Sequence, residues 1–395
     1  MAQPDGQLRT APKYLFRNDI ISNANAIETN PPKNARWIID GMALMRAVKC
    51  KKTYKLFFDS LIKFSSPNPA HQPKSIEFVN EIYRSVSAKN GTRGNRGEES
   101  RRVTLTGIEQ NMLSGKEWLE FFHNIENKED LISLFATYLK SEDRVSQTTP
   151  VYFTRKAETW EHHHQTSRRI GDCNHEEADT RMLIHALREN TNVVIVARDT
   201  DVLMIMIYIY ALKEVTAVWY MKYGAEKFAN IGKIVKHLGR TVSLMLVHLH
   251  CITGCDTTSY MYGVGKARVL NKVLKDVRLL ELLETLGCKS GVPDNYRNIE
   301  KFIQTVCYAG RIDESLVETR VRLYEKQKVK TSQSLPADPD SMKQAILRIN
   351  YQMYYWKRSD QAIVDEIPLE ENGWNVDEES NSVTPIWFEG QYLIF

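Results

Sequence analysis

Residues 193–207 read VVIVARDTDVLMIMI. Val193 to Ala197 form a β-branched run of the length of a strand buried on both faces, and Val202 to Leu212 are apolar all round, as a buried helix is. Asp199 and Asp201 stand at the junction. The same order recurs along the chain. WIID (Trp37–Asp40) closes on an aspartate before the helically spaced GMALMRAV, and VYFT (Val151–Thr154) precedes a polar loop and the helix HEEADTRMLIHALRE (His175–Glu189). AVWYM (Ala217–Met221) follows the apolar helix. Strands alternating with helices of this length predict an α/β fold with a mostly parallel central sheet flanked by helices.

A chain of 395 residues with 42% hydrophobic content has room for a large core, in one large domain or two ordinary ones. A formal charge of +4 does not by itself announce a nucleic-acid partner. Six cysteines and no apolar leader after MAQPDGQLRT fit free thiols in a reduced, intracellular setting, the nucleus before the cytoplasm. The longest apolar run falls short of the ~20 residues of a membrane span, so no membrane association is expected. Residues 1–34 are polar and read as a leader that packs late or not at all. An α/β domain is expected over 35–275, with a second weak strand in SIEFVNEIY (Ser75–Tyr83) and a basic, glycine-containing insertion within 84–115. A helical extension over 276–330 and a less regular acidic tail over 331–395, containing Trp356, Trp374 and Trp387, complete the chain. Trp374 and Trp387 offer either a docking element for a protein partner or aromatic rings that close over the sheet.

In right-handed βαβ units strand ends and helix starts share one edge of the sheet. That edge would gather Asp40, Glu176, Glu177, Asp179, Asp199 and Asp201. Single acids at such positions often only cap the following helix. Several carboxylates without Lys or Arg partners repel, and a divalent cation is the simplest resolution; all-oxygen ligands favour Mg²⁺ or Mn²⁺. The stretch VHLHCITGCDTTSYMYGVGKARVLN (Val247–Asn271) supplies Asp256 and a glycine-rich turn. A P-loop is excluded, because Tyr260 stands where glycine is needed and Ala267 follows the lysine.

The order of Asp after the first strand, NHEEADT, DTD, and TGCDTTS followed by GVGKA resembles the PIN-like nucleases of the flap endonuclease and xeroderma pigmentosum G group, over about Arg36 to Lys275. It resembles still more a set of poorly characterised animal PIN-like proteins associated with mobile elements. The resemblance implies a PIN-like fold with a helix-two-turn-helix-like extension, two metal ions, and hydrolysis of phosphodiester bonds in DNA or RNA at a junction of single strand and duplex. It places Asp40, Glu177, Asp179, Asp199, Asp201 and Asp256 as metal ligands, with Glu176 beside them. The family's second-strand aspartate has no exact counterpart; Asn80 stands there and Glu81, the nearest acid, is the candidate metal ligand in its place, and Asp179 is one methylene shorter than the family's usual glutamate. Gly263, Gly265, Lys266 and Arg268 would grip a phosphate of the duplex arm. Lys89, Arg93, Arg96, Arg101 and Arg102 would clamp single strand, or form a solvated loop.

Three other readings stand beside this one. DTDVL fits the nucleophile motif of haloacid-dehalogenase-like phosphatases. His248, His250, Cys251 and Cys255, with His162–His164, Cys173 and His175, could bind zinc, at poor spacing. A PIN-like domain without chemistry could serve as a nucleic-acid or protein binding scaffold, as the Asn80–Glu81 departure suggests.

Overall fold

The computed structural model describes residues 8–9, 12–65, 72–89, 101–113, 115–141, 149–164, 166–311, 313–326 and 334–388. Helix α1 (Tyr14–Asn23) and β1 (Ile27–Glu28) lead into β2 (Arg36–Asp40), α2 (Gly41–Ala47) and α3 (Tyr54–Ser65). Next come β3 (Ser75–Val79), α4 (Gly115–Phe121), α5 (Ile125–Ser141), β4 (Val151–Arg155), β5 (Glu158–His163) and β6 (Thr166–Asp172). The sheet is completed by β7 (Val193–Val196), β8 (Trp219–Lys222) and β9 (Phe228–Asn230), with α6 (Ala178–Leu187) before β7 and α7 (Thr200–Leu212) after it. Helices α8 (Ile231–Leu238), α9 (Arg240–Ile252), α10 (Lys266–Val273), α11 (Tyr296–Phe302), α12 (Leu316–Glu325) and α13 (Pro339–Lys357) follow, then the hairpin β10 (Trp374–Asp377) and β11 (Ser382–Pro385).

The strand order is β1-β9-β8-β7-β2-β3-β4-β5-β6. The five central strands, β8 to β4, are parallel, and antiparallel pairs border them on both sides. Side chains alternate between two cores. Ile38, Val193 and Ile195 pack with the apolar body of α7, while Ile39, Ile76, Phe78, Val151 and Phe153 pack with the aromatic faces of α3, α4 and α5. Burial on both faces is why these strands read as continuous apolar runs.

Three expectations need correction. The segment after VYFT is no loop, because β5 and β6 add an antiparallel hairpin to the sheet. Most of β6 is exposed, so no apolar alternation marks it, and ion pairs such as Arg169–Glu158 at 3.2 Å cross the pair instead. Part of the amino-terminal stretch packs: Phe16, Ile20 and Ile21 of α1 are buried in the larger core. The region after 331 contains α13, which starts on an Asp338 cap and Pro339 and buries Ile346, Ile349, Met353 and Trp356. Trp374 is fully buried, beneath the Arg348 guanidinium that also lies 4.8 Å from the Trp387 ring centre, so Trp374 is not available as a docking element. All six cysteines are free. No helix among the described residues is long and apolar enough to cross a membrane.

Candidate metal centre

Parallel register aligns Asp40 with Val79 across β2 and β3, and Ile39 with Val196 across β2 and β7, so these strands end level. Their carboxyl ends carry the acids. Asp40 Oδ1 accepts from Ala43 N–H at 2.9 Å and Asp199 Oδ1 from Asp201 N–H at 3.0 Å. Helix capping is therefore real at both positions, and uses one oxygen of each carboxylate. Helix α6 begins at Ala178, later than expected, so that only Asp179 of the three acids in HEEAD lies in its first turn. One carboxylate oxygen each from Asp179, Asp199 and Asp201 comes within 4.8 Å of the other two, the one such group of three or more His, Cys, Asp or Glu among the described residues.

Burial is the largest cause of the weakened acidity of these carboxyls. It lifts Asp179 well above the ordinary carboxylate range, aided by Asp199. Asp199 and Asp201 are raised as well, each first by burial. Asp40 is pushed up to about 6 by burial, with Glu81 and Asp199 adding to it and the Ala43 N–H opposing it. Oxygen-only donors whose ionisation is opposed by desolvation and mutual repulsion suit a hard divalent cation.

The premise that these acids lack cationic partners is overturned. Lys13, just before α1, puts its Nζ 2.8 and 2.9 Å from the two oxygens of Asp201, 2.5 Å from Asp256 and 3.5 Å from Asp199. Lys89 pairs with Glu177 at 3.2 Å and Glu81 at 3.5 Å. Two ammonium groups thus divide the edge. Lys89, expected to clamp a substrate strand, faces the acids, and Glu177 spends its carboxylate on that lysine without capping α6. Glu176 lines an adjacent cavity with Arg84, Lys89, Tyr351 and Tyr355.

Asn80 is buried at the end of β3. Its Nδ2 donates to Thr154 O at 2.8 Å, and its N–H donates to Thr154 Oγ1 at 2.6 Å. The Asn80 N–H groups are thereby committed to β4 while its buried Oδ1 accepts no hydrogen bond from the described residues, and the following Glu81 pairs with Lys89. Gly41 is required beside Asn80, because a Cβ there would lie 2.3 Å from Asn80 Oδ1.

His250, weighed in the sequence only for zinc, supports Asp201. Its Nε2 lies 2.7 Å from Asp201 Oδ1, and burial keeps the ring neutral, so Nε2–H donates. Phe16 stacks at 6.2 Å on the imidazole and Trp356 at 6.1 Å. The zinc set does not assemble: Cys251 Sγ faces Ile349 O at 3.7 Å and Cys255 Sγ lies 3.2 Å from Thr258 Oγ1.

Lys266 does not face a phosphate. Its buried Nζ donates to His250 O at 2.7 Å, Thr253 Oγ1 at 3.0 Å and Gly254 O at 2.6 Å, locking the turn that presents Asp256. Gly263, Gly265 and Arg268 remain exposed at the start of α10, and Gly263 has φ +75°. Arg102 is tied to α5 by Glu126 and Asp130, each at 2.7 Å, while Arg101 is exposed. Arg93 and Arg96 lie outside the described residues.

No protein-family model and no curated protein matches the chain. Among solved structures it is similar to the catalytic core of Rad2 in complex with DNA substrate, at 14% identity, covering 90% of this chain and 100% of that one with a TM-score of 0.39. At that distance the functional reading rests on the site itself. The class of protein that fold and site define is an α/β protein with a carboxylate cluster at the carboxyl edge of its parallel strands.

Proposed function

We propose that this chain is a metal-dependent nuclease of PIN-like type that hydrolyses phosphodiester bonds in DNA or RNA. The observation that carries the reading is the convergence of Asp179, Asp199 and Asp201, from two helix starts and a strand end, to within 4.8 Å at an edge where burial resists their ionisation. These three would hold Mg²⁺ or Mn²⁺, with Asp40 beside them. Bound there, such an ion would supply Lewis acidity towards a water and a phosphoryl oxygen. The chain's own residues do the rest. His250 fixes the Asp201 carboxylate, and Lys266 holds the turn bearing Asp256. The exposed Gly263, Gly265 and Arg268 offer backbone N–H groups and a guanidinium to a backbone phosphate.

A second reading is a scaffold without chemistry. It is favoured by Lys13 and Lys89, which partly neutralise the acids and so remove the need for a metal. Labelled flap, single-stranded and duplex DNA, with matching RNA, incubated with Mn²⁺ or with EDTA, separate the two. Cleavage that needs Mn²⁺ and is lost in Asp199→Asn is the expected result; binding without cleavage by either protein selects the scaffold.

A further inference from the structure

We infer that the Lys13 ammonium is a built-in cation occupying the Asp201–Asp256 half of the acidic edge, so that the centre takes one divalent ion and not two. The inference rests on the metal-centre reading above and deepens it.

Lys13 Nζ lies within 2.9 Å of both oxygens of Asp201 and 2.5 Å from Asp256. Asp201 Oδ1 also takes the His250 bond, so both of its oxygens already have donors. A second dication bound between Asp201 and Asp256 would have to displace the ammonium, or sit beside it among the same carboxylates, where like charges repel. The ammonium holds the Asp179–Asp199 side less closely, at 3.5 Å from Asp199, and the three-oxygen group of Asp179, Asp199 and Asp201 leaves a place for one ion, with Asp201 shared between that ion and the ammonium.

The ammonium is positioned by a packed element. Phe16, one turn along, stacks on His250, while Ile20 and Ile21 are buried in the larger core. Arg17 donates to Arg198 O, next to Asp199, and lies over the Tyr223 ring at 5.7 Å. Withdrawing Lys13 therefore requires either a change of its side-chain rotamer or undocking of α1. A tethered ammonium also differs from a free ion in consequence: it cannot be removed by chelators, and it delivers one charge where a second metal would deliver two.

The test is the Mn²⁺ stoichiometry of the full chain, by calorimetric titration and by electron paramagnetic resonance. The wild-type protein is expected to bind one Mn²⁺ with an uncoupled signal. Lys13→Ala is expected to bind two, the second at least tenfold more tightly than any second ion in the wild type, with the exchange-coupled signal of a close Mn²⁺ pair. Lys13→Arg restores one ion, and Lys13→Met, which keeps the aliphatic stem, serves if alanine loosens α1. Two ions in the wild type, or one ion in both the wild type and the neutral variants, overturns the inference and leaves the metal centre standing. No ion in the wild type overturns both, and Asp199→Asn shows whether any ion seen belongs to this site.

Discussion

Replacing Lys266 by methionine separates a structural lysine from a phosphate-gripping one. The ammonium is desolvated, which brings it from the ordinary 10.5 down to about 8, and it donates three hydrogen bonds within the turn. Hydrogen bonds from a charged donor contribute about 1.5–3 kcal/mol each, so three lost bonds cost roughly 4–9 kcal/mol. Methionine also relieves the buried charge, worth about 3 kcal/mol for a shift from 10.5 to about 8. The expected net loss is roughly 1–6 kcal/mol, read from the urea midpoint at constant m. The pH dependence has a definite sign. Because the folded value lies below the unfolded one, the native chain binds fewer protons between about 8 and 10.5, and wild-type stability relative to Lys266→Met rises with pH across that window. The folded fraction of Lys266→Met should bind nucleic acid with an unchanged salt slope. A stability loss under about 1 kcal/mol, together with weaker binding and a shallower slope, would refute the reasoning and return Lys266 to the phosphate.

Two further outcomes follow from the same geometry. His250→Phe keeps a ring between Phe16 and Trp356 but removes the bond to Asp201, so Mn²⁺ affinity measured by calorimetry should fall about 10–100-fold with little change in melting temperature. Asn80→Asp sets a carboxylate against the Thr154 carbonyl in a buried place; thermal melts should show a loss of about 2–4 kcal/mol, with no gain in metal affinity.

The central layer was legible because its strands carry two independent signals, continuous apolar runs and terminal acids. Asp40, Asp179, Asp199 and Asp201 could be gathered on paper from topology alone. Lys13 could not: it stands in a polar stretch with no motif, and its partners are 186 to 243 residues away. The β5–β6 hairpin was hidden for a different reason, since an exposed edge held by ion pairs has no apolar alternation. Helix α13 carries its own signals in the sequence. Asp338 and Pro339 mark its start, and Ile346, Ile349, Met353 and Trp356 fall on one face at helical spacing. The acidic residues and tryptophans around it masked that signal. His250 was visible as a residue but not as a support, because its role depends on a bond to a carboxylate 49 positions earlier.

The imidazole of His250 lies between a ring from near the start of the described chain and a ring from α13. A ribosome releasing this protein exposes Asp40, Asp179, Asp199 and Asp201 long before it exposes Trp356. Until α13 has emerged and docked, one wall of the imidazole is missing and Asp201 lacks its fixed donor. The support of Asp201 is thereby tied to synthesis past Trp356, and a shorter nascent fragment carries the acids without that geometry.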